Sequence, residues 1–363
     1  MKVNGKTLLF ACIAVTLKKG HALSSSASDT ANLAKGRLQE ALSSIAKKTT
    51  ISPEIIIPEP SDPTALLLQS TEVTKLSHGI RSNAKANAAF ISGSINSVKA
   101  FCTEQETARG SFPGPNPVIY ISNNDQIDTN LADLGEAGVS GILYSVLNGE
   151  EISSSDEVTK DETIESMFQS AIENGMQLIP EVILSPESEW DEDKTKSLLD
   201  TITSQCGSEP AAILLTVGKD LMDNNNEETE EEKSGYNIPK VPKDSPITLG
   251  SIRAVAGGGR IGSAVQACKE AGFKGVVLRC DCLPGFRMNP DLEFVQKFWG
   301  AAIGDLKSTK SKSFNFRSKV SLERDIPLEW FNYQKNVMES GALGEASAGP
   351  SPLDSDNGDY QGF

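Results

Sequence analysis

Short apolar runs alternate with longer amphipathic stretches along most of this chain of 363 residues. A short apolar run bounded by turn residues predicts a buried strand, whereas apolar residues spaced by three or four predict a helix with one buried face. The apolar runs predict strands at residues 54–59, 87–93, 117–122, 140–147, 176–183, 211–218, 252–256 and 273–280.

The amphipathic stretches predict the helices that separate these strands. They lie at about residues 31–48, 63–86, 94–109, 125–137, 162–174, 190–205, 261–271 and 290–306. Strands that alternate regularly with helices form parallel sheets. The pattern therefore predicts a (β/α)8 TIM barrel with an extra helix before the first strand, and the alternative is an open, doubly wound sheet.

The two ends of the chain lack this pattern. Lys2 and Lys6 precede the apolar run 8–17, and small residues follow it, so residues 1–22 are predicted to be a signal peptide. Residues 23–36 are rich in serine and alanine, which is typical of a transit peptide. Together they resemble the plastid address of algae with secondary plastids, such as diatoms, and plain secretion is the alternative. Residues 37–306 are assigned to the barrel, and 307–363 are expected to be a mostly disordered extension.

The net charge and the positions of the cysteines argue against two kinds of function, nucleic-acid binding and metal binding. The formal net charge is −15, which argues against a nucleic-acid partner. An acidic insert at 220–244 is predicted to be a solvated loop. Cys280 and Cys282 are too isolated for a metal site, so we expect no metal and buried, reduced thiols instead. No later apolar run is long enough to span a membrane.

A glycine-rich turn between the last two predicted strands is the one recognisable binding motif. Gly262 completes the pattern G-x-G-x-x-G, and Asp281 follows the next strand, so NAD(P) or FAD binding is one hypothesis. Only a helix and a tail follow, however, and we expect no cofactor. In a barrel, the same turn would lie where phosphate groups commonly bind, and a plain tight turn is equally compatible. The candidate phosphate-binding residues are Gly257, Gly258, Gly259 and Arg260.

Several segments resemble indole-3-glycerol phosphate synthase, a lyase of tryptophan biosynthesis. The similar segments are NAAFISGSINSVKAF, LADLGEAGVSGILYSVL, SAIENGMQLIPEV and AVAGGGRIGSAVQACKEAGFKGVVL, and the resemblance covers about residues 31–306. It implies a TIM barrel and a ring closure with loss of CO₂ and water. That chemistry uses two lysines, a glutamate base and a phosphate clamp.

The residues that the resemblance implies for catalysis are mostly missing. The run with the family's first-strand lysine corresponds to residues 58–61 and that with its third-strand lysine to 122–125, and neither contains a lysine. Glu181 remains as a candidate base, with Lys219 or Arg279 as its ion-pair partner or as an electrophile. If the site is inert, Glu181→Gln should hardly alter stability.

Three hypotheses follow. The first is a non-catalytic plastid barrel that binds a phosphorylated small molecule, or a protein partner through the aromatic segment 325–340. The second is an active phosphosugar lyase that uses Glu181, Lys219 and Arg279. The third is dinucleotide binding at residues 257–262.

Overall fold

Eight parallel strands pair side by side in a closed ring. The computed structural model describes residues 27–43, 49–58, 63–121, 127–186, 188–217, 238–253, 261–279 and 292–308. The ring strands are β1 Thr50–Ile56, β2 Ala89–Ser92, β3 Val118–Ile121, β4 Gly141–Ser145, β5 Gln177–Leu184, β6 Ile213–Val217, β7 Thr248–Arg253 and β8 Gly275–Arg279. Each strand pairs with the next, and β8 pairs with β1. The predicted (β/α)8 TIM barrel is confirmed, and the open-sheet alternative is wrong.

Helices surround this ring. They are α1 Ala27–Leu42, α2 Pro63–Ser82, α3 Ile95–Thr107, α4 Ile127–Ala137, the one-turn α5 Ser155–Val158, α6 Ile164–Glu173, α7 Glu192–Gln205, α8 Ile261–Glu270 and α9 Leu292–Ser308. The extra helix before the first strand is therefore present. No helix forms in the described part of the β6–β7 connection, residues 238–247.

Two strands begin four residues earlier than the sequence pattern predicted. The first strand was predicted at 54–59, but β1 starts at Thr50 and continues through Pro53, which stands opposite Leu278. The seventh was predicted from residue 252, but β7 starts at Thr248. Polar residues on the inward faces of these strands, such as Ser52 and Ser251, interrupt the apolar runs on which the prediction relied.

The side chains of the strands form two separate cores, because alternate residues of a strand point to opposite faces. Outward residues of the strands pack against the helices, and this layer includes Ile55, Ile91, Ile142, Val182, Leu215 and Val276. Inward residues fill the lower lumen of the barrel, and this group includes Phe90, Ile119, Leu143, Ile179, Leu214, Leu249 and Val277.

Helix α1 seals the amino-terminal end of the lumen. Leu38 and Leu42 are fully buried and belong to the lumen core. The side-chain amide of Gln177 donates to the carbonyl oxygen of Ala31 (3.0 Å), and the hydroxyl of Thr50 donates to that of Leu42 (3.1 Å). The predicted boundary between transit-like segment and barrel, at residues 36 and 37, therefore falls inside a helix that packs along its length.

The remaining predictions for the chain ends lie outside the described residues. These are the signal peptide, the first residues of the transit-like segment (23–26) and the extension after Ser308; most of the acidic insert at 220–244 also falls there. Among the described helices, none is both long and apolar enough to cross a membrane.

Two leucine substitutions on α1 test whether this helix closes the amino-terminal end of the lumen. Leu38→Ala should lower the free energy of unfolding by about 2–5 kcal/mol, because it opens a cavity among fully buried side chains. Leu33→Ala on the same helix should change it by less than about 0.5 kcal/mol, because Leu33 is exposed. Urea unfolding of both variants measures the difference. Equal effects would show that α1 does not pack as described.

Candidate functional site

Inward side chains change from apolar to polar towards the carboxyl ends of the strands. This is the end at which barrel enzymes hold their active sites. Glu54 lies on β1, Glu181 on β5 and Arg279 at the end of β8, and all three are buried or nearly so. Hydroxyl-bearing residues complete the polar lining, namely Ser52, Ser145, Thr216 and Ser251.

Arg279 connects two carboxylates across the lumen. Its Nη1 lies 2.7 Å from Oε1 of Glu181, and its Nε lies 3.2 Å from Oε1 of Glu54. Strands β1 and β5 are four positions apart in a ring of eight, so they lie on opposite sides. The lumen of an eight-stranded barrel is only wide enough for side chains to fill it. The guanidinium group therefore occupies the centre of the upper lumen.

Both carboxylate oxygens of Glu181 accept hydrogen bonds from the barrel itself. The hydroxyl of Thr216 on β6 donates to Oε1 (2.7 Å), which also accepts from Arg279. The hydroxyl of Ser145 donates to Oε2 (3.1 Å), and Ser145 stands directly opposite Glu181 in the β4–β5 pairing. A buried carboxylate needs such donors to offset its loss of hydration.

The ion pairs described in the interior join two carboxylates to one guanidinium. None of the eight ring strands contains a lysine, so no strand places an ammonium group in this part of the lumen. An anionic group that entered here would meet Glu54 and Glu181 as well as Arg279. The carboxylates of Glu54 and Glu181 would oppose a phosphate placed beside them.

The connection between β4 and α6 forms a fixed rim beside this cluster. The buried carboxylate of Asp161 accepts from the hydroxyl of Tyr144 (3.0 Å) and from the backbone N–H groups of Leu147 (2.9 Å) and Thr163 (3.1 Å). Leu147 has a φ of 52°, an uncommon left-handed conformation for a branched side chain. The two-residue strand Glu151–Ile152 then pairs with the end of β5.

The structure brings together two of the candidate residues inferred from the sequence. Glu181 and Arg279 form the expected ion pair. Lys219, Gly257, Gly258, Gly259 and Arg260 lie outside the described residues, so their predicted roles stay predictions. The partner segment 325–340 also lies outside.

Three members of the cluster were missed as site residues in the sequence. The sequence pattern placed Glu54 only at the start of a predicted strand, and it placed Thr216 and Ser145 only within predicted strands. Alternation within the segment Thr50–Ile56 could have placed Glu54 on the lumen face with Ser52. Its pairing with Arg279 depends on closure of the ring, which no local pattern reports.

The described cysteines are structural. Burial raises the pKa of Cys102, Cys206 and Cys268 from 9.0 to about 12, so all three are neutral thiols near pH 7. Among the described residues, no three histidine, cysteine or acidic side chains are placed to hold a metal ion. Cys280 and Cys282 lie outside this part of the chain.

Comparison by sequence gave no match, either to a protein-family model or to a curated protein. Several solved structures are similar in fold at low sequence identity. A tryptophan synthase α-subunit from Pyrococcus furiosus is 14% identical and has a TM-score of 0.37, with 76% of this chain and 97% of that chain covered. An N-acetylneuraminate lyase from Mycoplasma synoviae is 11% identical with a TM-score of 0.40, over 81% and 84% of the two chains.

A putative fructose-1,6-bisphosphate aldolase from Coccidioides immitis is also similar. It is 11% identical and has a TM-score of 0.39, with 80% of this chain and 98% of that chain covered. Similarity at this level identifies neither a reaction nor a substrate for this chain. The barrel assignment itself rests on the closed strand pairing.

The cluster makes a prediction about stability. Arg279→Met should lower the free energy of unfolding by about 3–5 kcal/mol, because it leaves two buried carboxylates without their cation. Glu181→Gln should cost less, about 1–3 kcal/mol, because Arg279 keeps Glu54 and the amide oxygen still accepts from Thr216. The expectation that Glu181→Gln hardly alters stability is therefore revised.

Arg109→Met is the matched control for this measurement. Arg109 pairs with Glu106 on the surface, where an ion pair contributes about 0–1 kcal/mol. Chemical unfolding of the three variants beside the unchanged chain gives the comparison. If Arg279→Met proves no more destabilising than Arg109→Met, the pairing of Arg279 with carboxylates across the lumen is ruled out.

Proposed function

We propose that this chain is a non-catalytic binding scaffold, similar in shape to the indole-3-glycerol phosphate synthase barrel but without its lyase chemistry. The observation that carries the proposal is Arg279, which crosses the upper lumen between Glu54 and Glu181. A substrate that entered the lumen at this level would have to displace a guanidinium held by two buried carboxylates.

The surroundings of Glu181 support the same reading. A general base must direct a lone pair at the proton it removes. Thr216, Ser145 and Arg279 occupy three of the roughly four acceptor positions of the Glu181 carboxylate, all from within its own barrel. The described lumen supplies no ammonium group as a general acid, and such a group contributes about 10²–10⁴-fold to a rate.

The proposed ligand is a phosphorylated small molecule or a protein partner, bound at the mouth rather than inside the lumen. The net negative charge of Glu54, Arg279 and Glu181 disfavours a phosphate at their depth. A phosphate would bind instead at Gly257, Gly258, Gly259 and Arg260, which directly follow β7 and its described end at Arg253. Backbone N–H groups of such a turn can bind a phosphate without a lysine.

A second candidate is an active phosphosugar lyase of the same type. The position of Glu181 and Arg279 favours it, because both lie towards the carboxyl ends of their strands, where barrel enzymes place catalytic groups. In that case Glu181 would act as the base and Arg279 as the electrophilic group. Substrate binding would first have to release their mutual ion pair.

An assay with the indole precursor separates the two candidates. We expect no formation of the indole product above the uncatalysed rate, with a working lyase of that family as the positive control. Turnover by the unchanged chain that Glu181→Gln abolishes would establish the second candidate instead. A thermal-shift panel of phosphosugars, NAD(P) and FAD completes the test, since stabilisation by a dinucleotide alone would favour the third hypothesis.

We further propose that residues 1–36 direct the chain to a plastid of a diatom-like alga, with any cleavage ahead of α1, which begins at Ala27 and stays part of the barrel. The support is the sequence alone, a signal-peptide pattern followed by a serine- and alanine-rich segment. A fluorescent protein fused after residue 36 should accumulate inside the plastid of a diatom. Fluorescence in the medium or the secretory pathway would instead support plain secretion, and a fusion that lacks residues 1–22 should remain in the cytosol.

A further inference from the structure

The amino-terminal end of the barrel carries the most exposed aromatic side chain among the described residues. Phe112, in the loop between α3 and β3, is 99% exposed, and Leu33 on α1 is 61% exposed. No other large hydrophobic side chain in the described part of the chain is exposed to a comparable degree. Both lie at the opposite end of the barrel from Glu181 and Arg279.

The loop that carries Phe112 is held in place by buried polar groups. Nη1 of Arg81 donates to the carbonyl oxygen of Pro113 (2.7 Å), and Nη2 of Arg81 is paired with Glu104 (2.7 Å). The backbone N–H of Asn116 donates to Oε1 of Gln105 (2.8 Å). Arg81, Glu104 and Gln105 are all buried. Phe112 is thus presented from a fixed backbone, which lowers the entropy cost of binding.

A short row of charges connects the two apolar side chains. Arg37, one turn after Leu33 on α1, lies 3.7 Å from Glu106, which also pairs with Arg109. These five residues, Leu33, Arg37, Glu106, Arg109 and Phe112, are called the basal patch below. Two arginines and one glutamate give the basal patch a net charge of +1 in a chain of net charge −15.

The chain continues from this same end of the barrel. Lys307, near the end of α9, donates to the carbonyl oxygen of Lys85 and to Oδ1 of Asn87. The same Oδ1 also accepts from the backbone N–H of Ile51, at the start of β1. The described chain therefore ends, at Ser308, at the amino-terminal end of the barrel. The linker 309–324 can span up to about 50 Å when extended. That reach exceeds the roughly 30 Å width of a small domain.

We propose that residues 325–340 of the chain itself dock on the basal patch. This segment contains Leu328, Trp330, Phe331 and Tyr333 for apolar contact, and it has three acidic residues against one lysine. Its composition is thus complementary to a patch with two exposed apolar side chains and an excess of arginine. A second copy of the chain is a poorer occupant, because two chains of net charge −15 repel each other. The proposal does not depend on whether the barrel is catalytic.

Hydrogen exchange in the full-length chain tests this contact. Amides of residues 325–340 should exchange at least about tenfold more slowly in the unchanged chain than in Phe112→Ser or in Arg109→Glu, which reverses the sign of the basal patch. The side chain of Phe112 does not pack within the barrel, so its substitution should leave the barrel folded, with an unchanged far-ultraviolet circular dichroism spectrum. Asp200→Ser, an exposed change on the distant helix α7, is the control and should keep the slow exchange.

Three outcomes would overturn the proposal. Fast exchange of residues 325–340 in the unchanged chain would show that the segment does not dock. Slow exchange that persists in both Phe112→Ser and Arg109→Glu would show that it docks elsewhere. Slow exchange that disappears on dilution would show that a second copy, rather than the same chain, provides the contact.

Discussion

Closure of the sheet is the constraint on which the rest of this structure depends. Once β8 pairs with β1, every inward side chain must share a narrow lumen with those of the other strands. An inward charge is then largely removed from bulk water and needs a partner on another strand. Arg279 meets this condition with two partners, Glu54 and Glu181. The chain thus retains the position of a barrel active site but fills it with its own ion pairs.

The regular alternation of short apolar runs with amphipathic stretches made the architecture predictable from the sequence. Strands such as β2 carry apolar residues on both faces, Ile91 outside the ring and Phe90 inside it. Each such strand is therefore a continuous apolar run in the sequence, which distinguishes it from the amphipathic helices. The same logic failed where inward residues are polar. Ser52 and Glu54 broke the run of β1, and Ser251 broke that of β7. The bounds of β5 and β8 were nevertheless predicted within two residues, because Glu181 and Arg279 stand near the ends of their apolar runs.

The candidate site was only half predictable for a related reason. Glu181 was found through a family resemblance, and Arg279 as a cation near a strand end. Glu54 lies more than 200 positions before Arg279 in the chain, and only ring closure brings the two together. Thr216 and Ser145 contact Glu181 because β6 and β4 flank β5. Such neighbours follow from sheet order, which residue spacing within one segment does not contain.

The pairing of β1 with β8 also fixes the order in which this chain can assemble. Gly275 lies so close to β1 that a β-carbon at this position would stand 1.9 Å from Oγ1 of Thr50. The two strands therefore approach each other this closely because Gly275 has no side chain. During synthesis, β1 emerges first and must wait for the last strand before its second edge is covered. An uncovered edge is prone to pair with other chains. A ribosome that pauses before residue 275 would thus expose an aggregation-prone intermediate whose Glu54 still lacks its cation.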